Sequence, residues 1–205
     1  YFPILSYLSS YTREFFNNLI QGKLTMFDPS IGLGDDVIGT LSWFGFGDVF
    51  MLLASLFPKA YISYAYTFIT IIRIYFSGIT FIYFAKNKGI SNEGQFIGAF
   101  MYVFCYYAIG FSELAFTFST PMVYFPLVIC GIDRIVDKET YRDKSICRVL
   151  VIAVFLESLC GFYFLYMMIL ASLVYYFSCC VTCMFRNKVS IKRIINNAIC
   201  VILHF

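Results

Sequence analysis

Charge is scarce in this sequence of 205 residues. Asp, Glu, Lys and Arg together make up 13% of the chain, about half of the ~25% that soluble domains carry. The net charge of +3 is too small to attract a polyanion, so we expect no nucleic-acid partner. An ordinary cytosolic enzyme and a disordered tail are excluded too, because neither combines so little charge with so many apolar residues.

Side chains that catalytic and metal sites often need are also rare. His204 is the single histidine, so we predict neither a Ser-His-Asp triad nor a zinc site. The eight cysteines lie in or beside apolar runs, and Cys180 and Cys183 form a CxxC spacing without other metal ligands nearby. We interpret the cysteines as packing residues and predict no metal-ligating set. The absence of a GxxxxGKS/T motif argues against direct use of ATP.

Apolar residues dominate the chain. They make up 60% of it, and the mean hydropathy is +0.79. A membrane-spanning helix needs about 20 mostly apolar residues. We therefore predict an all-α integral membrane protein, with a long loop over 1–59 followed by a polytopic helical bundle over 60–205. The predicted spans are 61–85, 95–112, 119–136, a short helix at 146–158, 163–185, and a sixth over 196–205 that is cut off.

Basic residues indicate which loops face the cytoplasm. The loops 86–94, 134–148 and 186–193 hold 11 of the 15 Lys and Arg residues, whereas the loops 113–118 and 159–162 hold none. By the positive-inside rule the basic loops are cytoplasmic. Residues 1–59 are then extracytoplasmic, on a multi-pass protein of the cell membrane. Because the chain starts at Tyr1 and stops within an apolar run, we expect it to be an internal piece of a longer protein.

The extracytoplasmic segment begins with an amphipathic pattern. Apolar residues recur at helical spacing from Ile4 to Ile20, and Gly22 follows as a C-cap. Such a helix is too polar to span, so we expect it to lie flat in the membrane interface. The alternative is a helix packed on a soluble core.

A second helix is predicted near the end of this segment. Asp48 is a candidate N-cap for the apolar run 49–57, and Pro58 ends that run. A run of this length cannot cross a bilayer. It is therefore predicted to be a re-entrant or interfacial helix.

Acidic residues cluster in the loop between these two helices. Gly32 and Gly34 predict a tight, shaped turn that permits positive φ or the close approach of a ligand. The adjacent carboxylates of Asp35 and Asp36 follow and are the best catalytic candidates. Such carboxylates can act as a general base or hold a divalent cation, the only candidate cofactor. The alternative is that they cap helices and solvate the loop. Two secondary acids are expected on the same side: Asp48 and Glu113.

Arg73 lies near the middle of a predicted span. A charge there costs at least ~2.5–3.5 kcal/mol on insertion scales, so it should face protein or water. One interpretation is a structural ion pair with Glu157, because the helix rise places both residues at similar depths. The other is that the guanidinium binds a lipid phosphate, whose oxygens it matches in geometry.

Several stretches of the chain resemble the YfhO-like family of bacterial membrane proteins, and the likeness runs over nearly the whole sequence. Their order and spacing carry the resemblance more than any one motif does. The matching stretches are YFPILSYL at 1–8, SIGLGDDVIGTL at 30–41, LFP at 56–58, Arg73 before Gly78, Pro126-Leu127 leading to GIDR at 131–134, and GFYF at 161–164.

The resemblance implies a glycosyltransferase of the GT-C type. Such an enzyme takes a sugar from a polyprenyl-phosphate carrier outside the cytoplasmic membrane, and the family is implicated in decorating teichoic acids of Gram-positive bacteria. The implied partners are the polyprenyl-phosphate sugar donor, a cell-envelope glycopolymer acceptor and membrane lipid. The family's principal catalytic acid follows its first span, which would precede Tyr1, and further sequence would follow Phe205.

This sequence departs from the family pattern at two positions. Thr120 stands where relatives tend to carry Asp before the span with Pro126, and Gly161 replaces the Asn of an Asn-Phe-Tyr-Phe stretch. The alternatives to an enzyme are a lipid or solute transporter or flippase, which could use Arg73 and Glu157 within the membrane, and a non-catalytic membrane scaffold.

Overall fold

The computed structural model describes residues 2–23, 26–29, 34–42, 45–114, 116–137 and 144–187, and these residues are almost entirely helical. The predicted span 196–205 lies outside them. The elements in chain order are α1 (Phe2–Ile20), β1 (Phe27–Asp28), β2 (Asp35–Asp36), α2 (Val37–Ser42), α3 (Val49–Ala54), a 3-10 helix (Lys59–Tyr61), α4 (Ile62–Asn87), α5 (Asn92–Val103), α6 (Tyr106–Leu114), a 3-10 helix (Phe116–Ser119), α7 (Pro121–Asp137), α8 (Lys144–Cys160) and α9 (Phe162–Asn187).

The two longest helices are α4 and α9, which cover the predicted spans 61–85 and 163–185. Each contains 26 residues, or about 39 Å at the α-helical rise. Within the part of the chain that the structure describes, two segments are long and apolar enough to cross a membrane by length and composition: Lys59–Asn87 and Phe162–Thr182.

Polar side chains lie inside the bundle and large apolar ones lie outside it. Arg73, Ser77 and Thr80 of α4 are buried, and so are Glu157 and Ser172. A soluble protein would show the reverse distribution, because water favours polar surface. This arrangement suits a lipid environment, in which polar groups need partners within the protein. The exposed apolar residues include Phe68, Ile71, Tyr75, Phe96, Phe100, Phe155, Tyr166 and Phe177.

The predicted span 95–112 is two helices rather than one. The break falls at Phe104, whose ψ of 17° leaves the helical range, and α6 begins at Tyr106. Two tyrosines hold the chain on either side of the break. Tyr102 donates to the Met122 carbonyl at 2.9 Å, and Tyr107 donates to the Phe118 carbonyl at 3.0 Å. These tertiary bonds anchor α5 and α6 to different points near the start of α7.

α1 has the predicted amphipathic character and packs on protein with its buried face. Ser9 donates to the Ala54 carbonyl at 3.1 Å, and Arg13 donates to the carbonyls of Ser55 and Phe57. Gly22 ends the helix with φ +71°, the left-handed cap expected from the sequence. Large apolar residues in the last turns of α1 are exposed, among them Phe16, Leu19 and Ile20.

α3 runs antiparallel along the first half of α4. The ring of Phe57 lies 6.0 Å from that of Phe68, and the ring of Phe50 lies 6.1 Å from that of Phe76. Asp48, at the start of α3, is therefore level with Arg73. Arg73 follows Ile62 by 11 residues, which is about 17 Å along the helix. The 45–57 segment enters the bundle beside α4, as a re-entrant helix would.

α7 runs parallel to the second half of α4, with its start beside Arg73 and its end beside Asn87. Thr120, just before α7, shares a hydrogen-bond partner with Arg73. At the other end of α7, Arg134 donates to the Asn87 amide oxygen at 2.7 Å. The start of α7 therefore meets α4 at its middle, beside the start of α3.

Candidate functional site

A buried ion pair joins the start of α3 to the middle of α4. The Arg73 guanidinium contacts Asp48 Oδ2 at 2.5 Å, and both side chains have no exposed surface. Asp48 Oδ1 accepts a bond from the Phe50 amide at 2.9 Å, so this carboxylate is also the predicted N-cap of α3. The Arg73 guanidinium lies 5.4 Å from the centre of the Phe50 ring. The Asp48 carboxylate thus caps the start of α3 and also neutralises the charge of Arg73 inside the bundle.

Thr120 completes the coordination of Asp48. Its hydroxyl donates to Asp48 Oδ2 at 2.8 Å, and the side chain is fully buried. This is the position at which the family resemblance expects Asp. A hydroxyl can donate to the carboxylate of Asp48, whereas a second carboxylate there would repel it. The departure seen in the sequence therefore lies directly on the buried ion pair.

Glu157 lies beside this ion pair but outside it. Its side chain is fully buried, and neither carboxylate oxygen accepts a hydrogen bond from the part of the chain that the structure describes. Its charge interacts with that of Asp48. The structure pairs Arg73 with Asp48, whereas one interpretation of the sequence paired it with Glu157. The helix α3 lies along α4 outside the predicted spans, and Asp48 at its start supplies the partner.

Replacing Glu157 with Gln is expected to leave the protein at least as stable as the parent. The amide keeps the size of the side chain and removes a buried carboxylate that lacks a hydrogen-bond donor, a defect worth about 1–3 kcal/mol. Thermal unfolding of the purified protein in detergent measures the effect. A fall in stability of more than about 1 kcal/mol would mean that Glu157 makes a stabilising interaction in the folded protein.

Two glycines allow the turn before Asp48 to pack against the end of α8. Gly45 has φ +80°, and an added Cβ would overlap the Thr117 methyl group and lie in ordinary contact with the Cys160 carbonyl oxygen. A Cβ on Gly47 would overlap the Leu159 carbonyl oxygen. Only glycine fits so close to another backbone at position 47. The sequence signal for this site is the GFGD stretch at 45–48, which sequence reasoning missed apart from Asp48.

Asp35 and Asp36 form an exposed site on a short antiparallel hairpin. They pair with Asp28 and Phe27 respectively across the two strands. The Gly39 amide donates to Asp36 Oδ2 at 2.8 Å, and the Thr40 hydroxyl donates to Asp35 Oδ2 at 2.9 Å. Both carboxylates therefore stabilise the start of α2, which was the structural alternative, while they remain exposed to a ligand.

Gly34 precedes this acidic pair with φ +100°, and an added Cβ would lie 2.6 Å from the Phe27 ring. Its role in shaping the loop follows from both facts. Gly32 lies outside the described residues. Glu113 lies in α6, and nothing further is described of its side chain.

Negative charge gathers around the buried face of α1. Tyr7 donates to Asp28 Oδ2 at 2.5 Å. Burial, together with the carboxylates of Asp36, Asp28 and Glu14, raises the pKa of Tyr11. The Tyr11 phenol is therefore neutral at physiological pH. It serves this region as a packing residue, with its ring 5.7 Å from that of Phe46.

The sequence matches a known protein family over nearly all of these elements. The pattern described as "Bacterial membrane protein YfhO" matches residues 10–205. The chain belongs to the YfhO family of bacterial membrane proteins. No curated protein matches the sequence. No solved structure matches it either.

Membership of the YfhO family agrees with the resemblance expected from the motifs and makes this a membrane protein. The matched residues include both acidic centres: the exposed Asp35–Asp36 pair and the buried Asp48–Arg73 pair with Glu157. Among the described residues, no three His, Cys, Asp or Glu side chains converge on a metal position. The described residues of this YfhO-family chain thus combine two exposed carboxylates with a buried ion pair and a buried glutamate.

Proposed function

We propose that this YfhO-family protein is a GT-C-type glycosyltransferase with a polytopic bundle. It moves a sugar from a polyprenyl-phosphate carrier to a cell-envelope polymer such as teichoic acid, on the outer face of the cytoplasmic membrane. The observation that carries the proposal is the exposed Asp35–Asp36 pair on the loop that a buried ion pair ties into the bundle. That arrangement supports acid–base chemistry next to the membrane.

The proposed reaction needs one proton acceptor and a leaving phosphate. Asp36 takes the proton from an acceptor hydroxyl, whose oxygen forms the new bond to the anomeric carbon. The bond between that carbon and the phosphate oxygen breaks, and polyprenyl phosphate leaves with the electron pair. Asp35 lies next to Asp36 and adds negative charge that favours uptake of the proton.

Arg73 has a positioning role in this proposal. Its guanidinium is fully buried against Asp48, so we assign it to holding the re-entrant turn rather than to contacting the lipid phosphate. That turn packs against the start of α7 and the end of α8. The proposed charge stabilisation at the leaving phosphate therefore comes from another basic group or from a divalent cation.

An open apolar groove between α4 and α5 supports the use of a lipid substrate. Its volume is about 410 Å³, and its walls are aliphatic and aromatic side chains. An isoprenoid chain has the same character and would bury apolar surface there. The lining residues include Ile71, Ile74, Gly78, Ala99, Phe100 and Val103.

Replacing Asp36 with Asn is expected to reduce sugar transfer by about 10²–10⁴-fold, the usual contribution of a general base. Asn retains the N-cap that Asp36 provides to α2, because the two residues cap equally well. The loss therefore reports on the charge rather than on folding. The assay follows a labelled sugar from polyprenyl phosphate to the acceptor polymer, with the intact protein reconstituted in vesicles.

Glu14→Gln is the matched control, since Glu14 is another exposed acid of the same segment, and its activity should equal that of the parent. Unchanged turnover by Asp36→Asn would remove Asp36 from the site. Failure of the parent protein to transfer any sugar would reject the enzyme itself. In the same vesicles, movement of the lipid between leaflets without transfer would favour the flippase, which the buried charges of Arg73 and Asp48 would also suit. Addition of EDTA tests the divalent cation.

A further inference from the structure

A second charged cluster joins three helices at the end of the bundle opposite Asp48. Lys88 Nζ lies 2.7 Å from Asp133 Oδ1. The Tyr175 hydroxyl donates to the same oxygen at 2.5 Å and accepts a bond from Lys88 at 2.8 Å. These three residues, which we call the clasp, hold together the ends of α4 and α7 and the middle of α9. Within the clasp the charges of Lys88 and Asp133 offset each other.

Arg134 stands beside the clasp with partners that are neutral. It donates to the Asn87 amide oxygen at 2.7 Å and to the Tyr83 hydroxyl at 3.1 Å. Its guanidinium also lies 5.7 Å from the centre of the Tyr83 ring. None of these contacts cancels its positive charge, and together they fix the plane of the guanidinium. Arg134 is therefore a pre-oriented cation.

Asn87 is itself held in position, which makes this a built site rather than a chance contact. Its amide nitrogen donates to the Tyr83 carbonyl at 2.8 Å and lies 3.7 Å from Cys130 Sγ. These bonds turn the amide oxygen toward Arg134. The exposed side chain of Lys86 lies one residue before Asn87. The ends of α4 and α7 carry an excess of one positive charge, with Lys86, Lys88 and Arg134 against Asp133 and Asp137.

We propose that Arg134, together with the exposed Lys86, binds the phosphate of an anionic phospholipid. A guanidinium matches phosphate oxygens in a two-bond geometry, and its orientation here is already set. The positive-inside rule places these helix ends at the cytoplasmic surface, where anionic headgroups gather. The neighbouring helices expose apolar surface at Tyr83, Val174 and Phe177, against which acyl chains can lie. This site is independent of the proposed sugar transfer.

The test measures lipid binding by the intact protein in detergent, using native mass spectrometry and thermal unfolding. The probes are phosphatidylglycerol, phosphatidylcholine and inorganic phosphate. We expect phosphatidylglycerol to bind and raise the unfolding temperature, and Arg134→Gln to weaken that binding about tenfold. Phosphatidylcholine and inorganic phosphate should have little effect. Lys59→Gln, an exposed lysine at the other end of α4, is the matched control and should bind like the parent.

Equal binding of phosphatidylglycerol by Arg134→Gln and the parent would overturn the proposal. So would equal effects of inorganic phosphate and phosphatidylglycerol, since the site would then recognise soluble phosphate and not a lipid. If Arg134→Gln does not fold, Arg134→Lys replaces it. Lysine keeps the charge but loses the planar fork, and an affinity equal to that of the parent would reject the geometric role of the guanidinium.

Discussion

Replacing Asp48 with Asn is expected to destabilise the protein by about 3–5 kcal/mol, the usual effect of removing one partner of a buried ion pair. The substitution leaves Arg73 charged and fully buried beside a neutral amide. Asn retains the N-cap of α3, so the loss reports on the missing charge. The loss of stability is measured by heating the protein in detergent. Unfolding is detected as the loss of the monodisperse peak in size-exclusion chromatography.

The matched control is a double-mutant cycle with Arg73→Met. Each single substitution leaves one member of the buried ion pair without its oppositely charged partner, whereas the double variant removes both charges. We expect the double variant to be more stable than the sum of the two single effects predicts. Additive losses would show that the pair contributes no coupling. A well-folded and stable Arg73→Met protein that no longer binds polyprenyl phosphate would instead assign Arg73 to the lipid phosphate.

The second large effect is expected for Gly47→Ala, with a loss of about 1–3 kcal/mol, as for overpacked interiors. The new Cβ would overlap the carbonyl oxygen of Leu159. This neighbour is backbone at the end of α8 and cannot rotate away as a side chain could. The turn would therefore have to move, and the Asp48–Arg73 contact would move with it. Sugar transfer should fall together with stability.

Gly78→Ala is the control for this substitution. Gly78 lies inside α4, and an added Cβ would be 3.3 Å from a methyl group of Val103, a side chain that can shift slightly. Alanine also favours the helix over glycine by about 1 kcal/mol. We expect a variant about as stable as the parent. If Gly47→Ala and Gly78→Ala unfold at the same temperature, the turn does not pack against α8 as described.

Features that depend on neighbouring residues in the chain could be predicted. The continuous apolar runs of α4 and α9 and the amphipathic spacing of α1 are local patterns. So are the Gly22 C-cap, the positive φ of Gly34 and the N-cap of Asp48. In each case a few adjacent residues supply both the cause and the structure. The order of motifs also pointed to the YfhO family, which the match over residues 10–205 confirms.

Features that depend on which helices meet could not be predicted in the same way. The partner of Arg73 is one example, because many acids are compatible with its depth and only the path of the re-entrant segment selects Asp48. The break at Phe104 is another, since it follows from bonds that Tyr102 and Tyr107 make to distant carbonyls. The clasp at Lys88 likewise joins residues that are far apart in the chain.

The sequence by itself determined that this is a helical membrane protein, where most of its helices lie, and that its first sixty residues carry the adjacent acids Asp35 and Asp36. Only the tertiary structure decided that Asp48 enters the bundle to neutralise Arg73, that Thr120 supports it, and that Glu157 is left beside the pair. The physical reason is the distance along the chain between the residues that interact. Helix formation and capping are settled within a few residues, whereas the pairing of buried charges is settled by helix packing, which joins positions far apart in the chain.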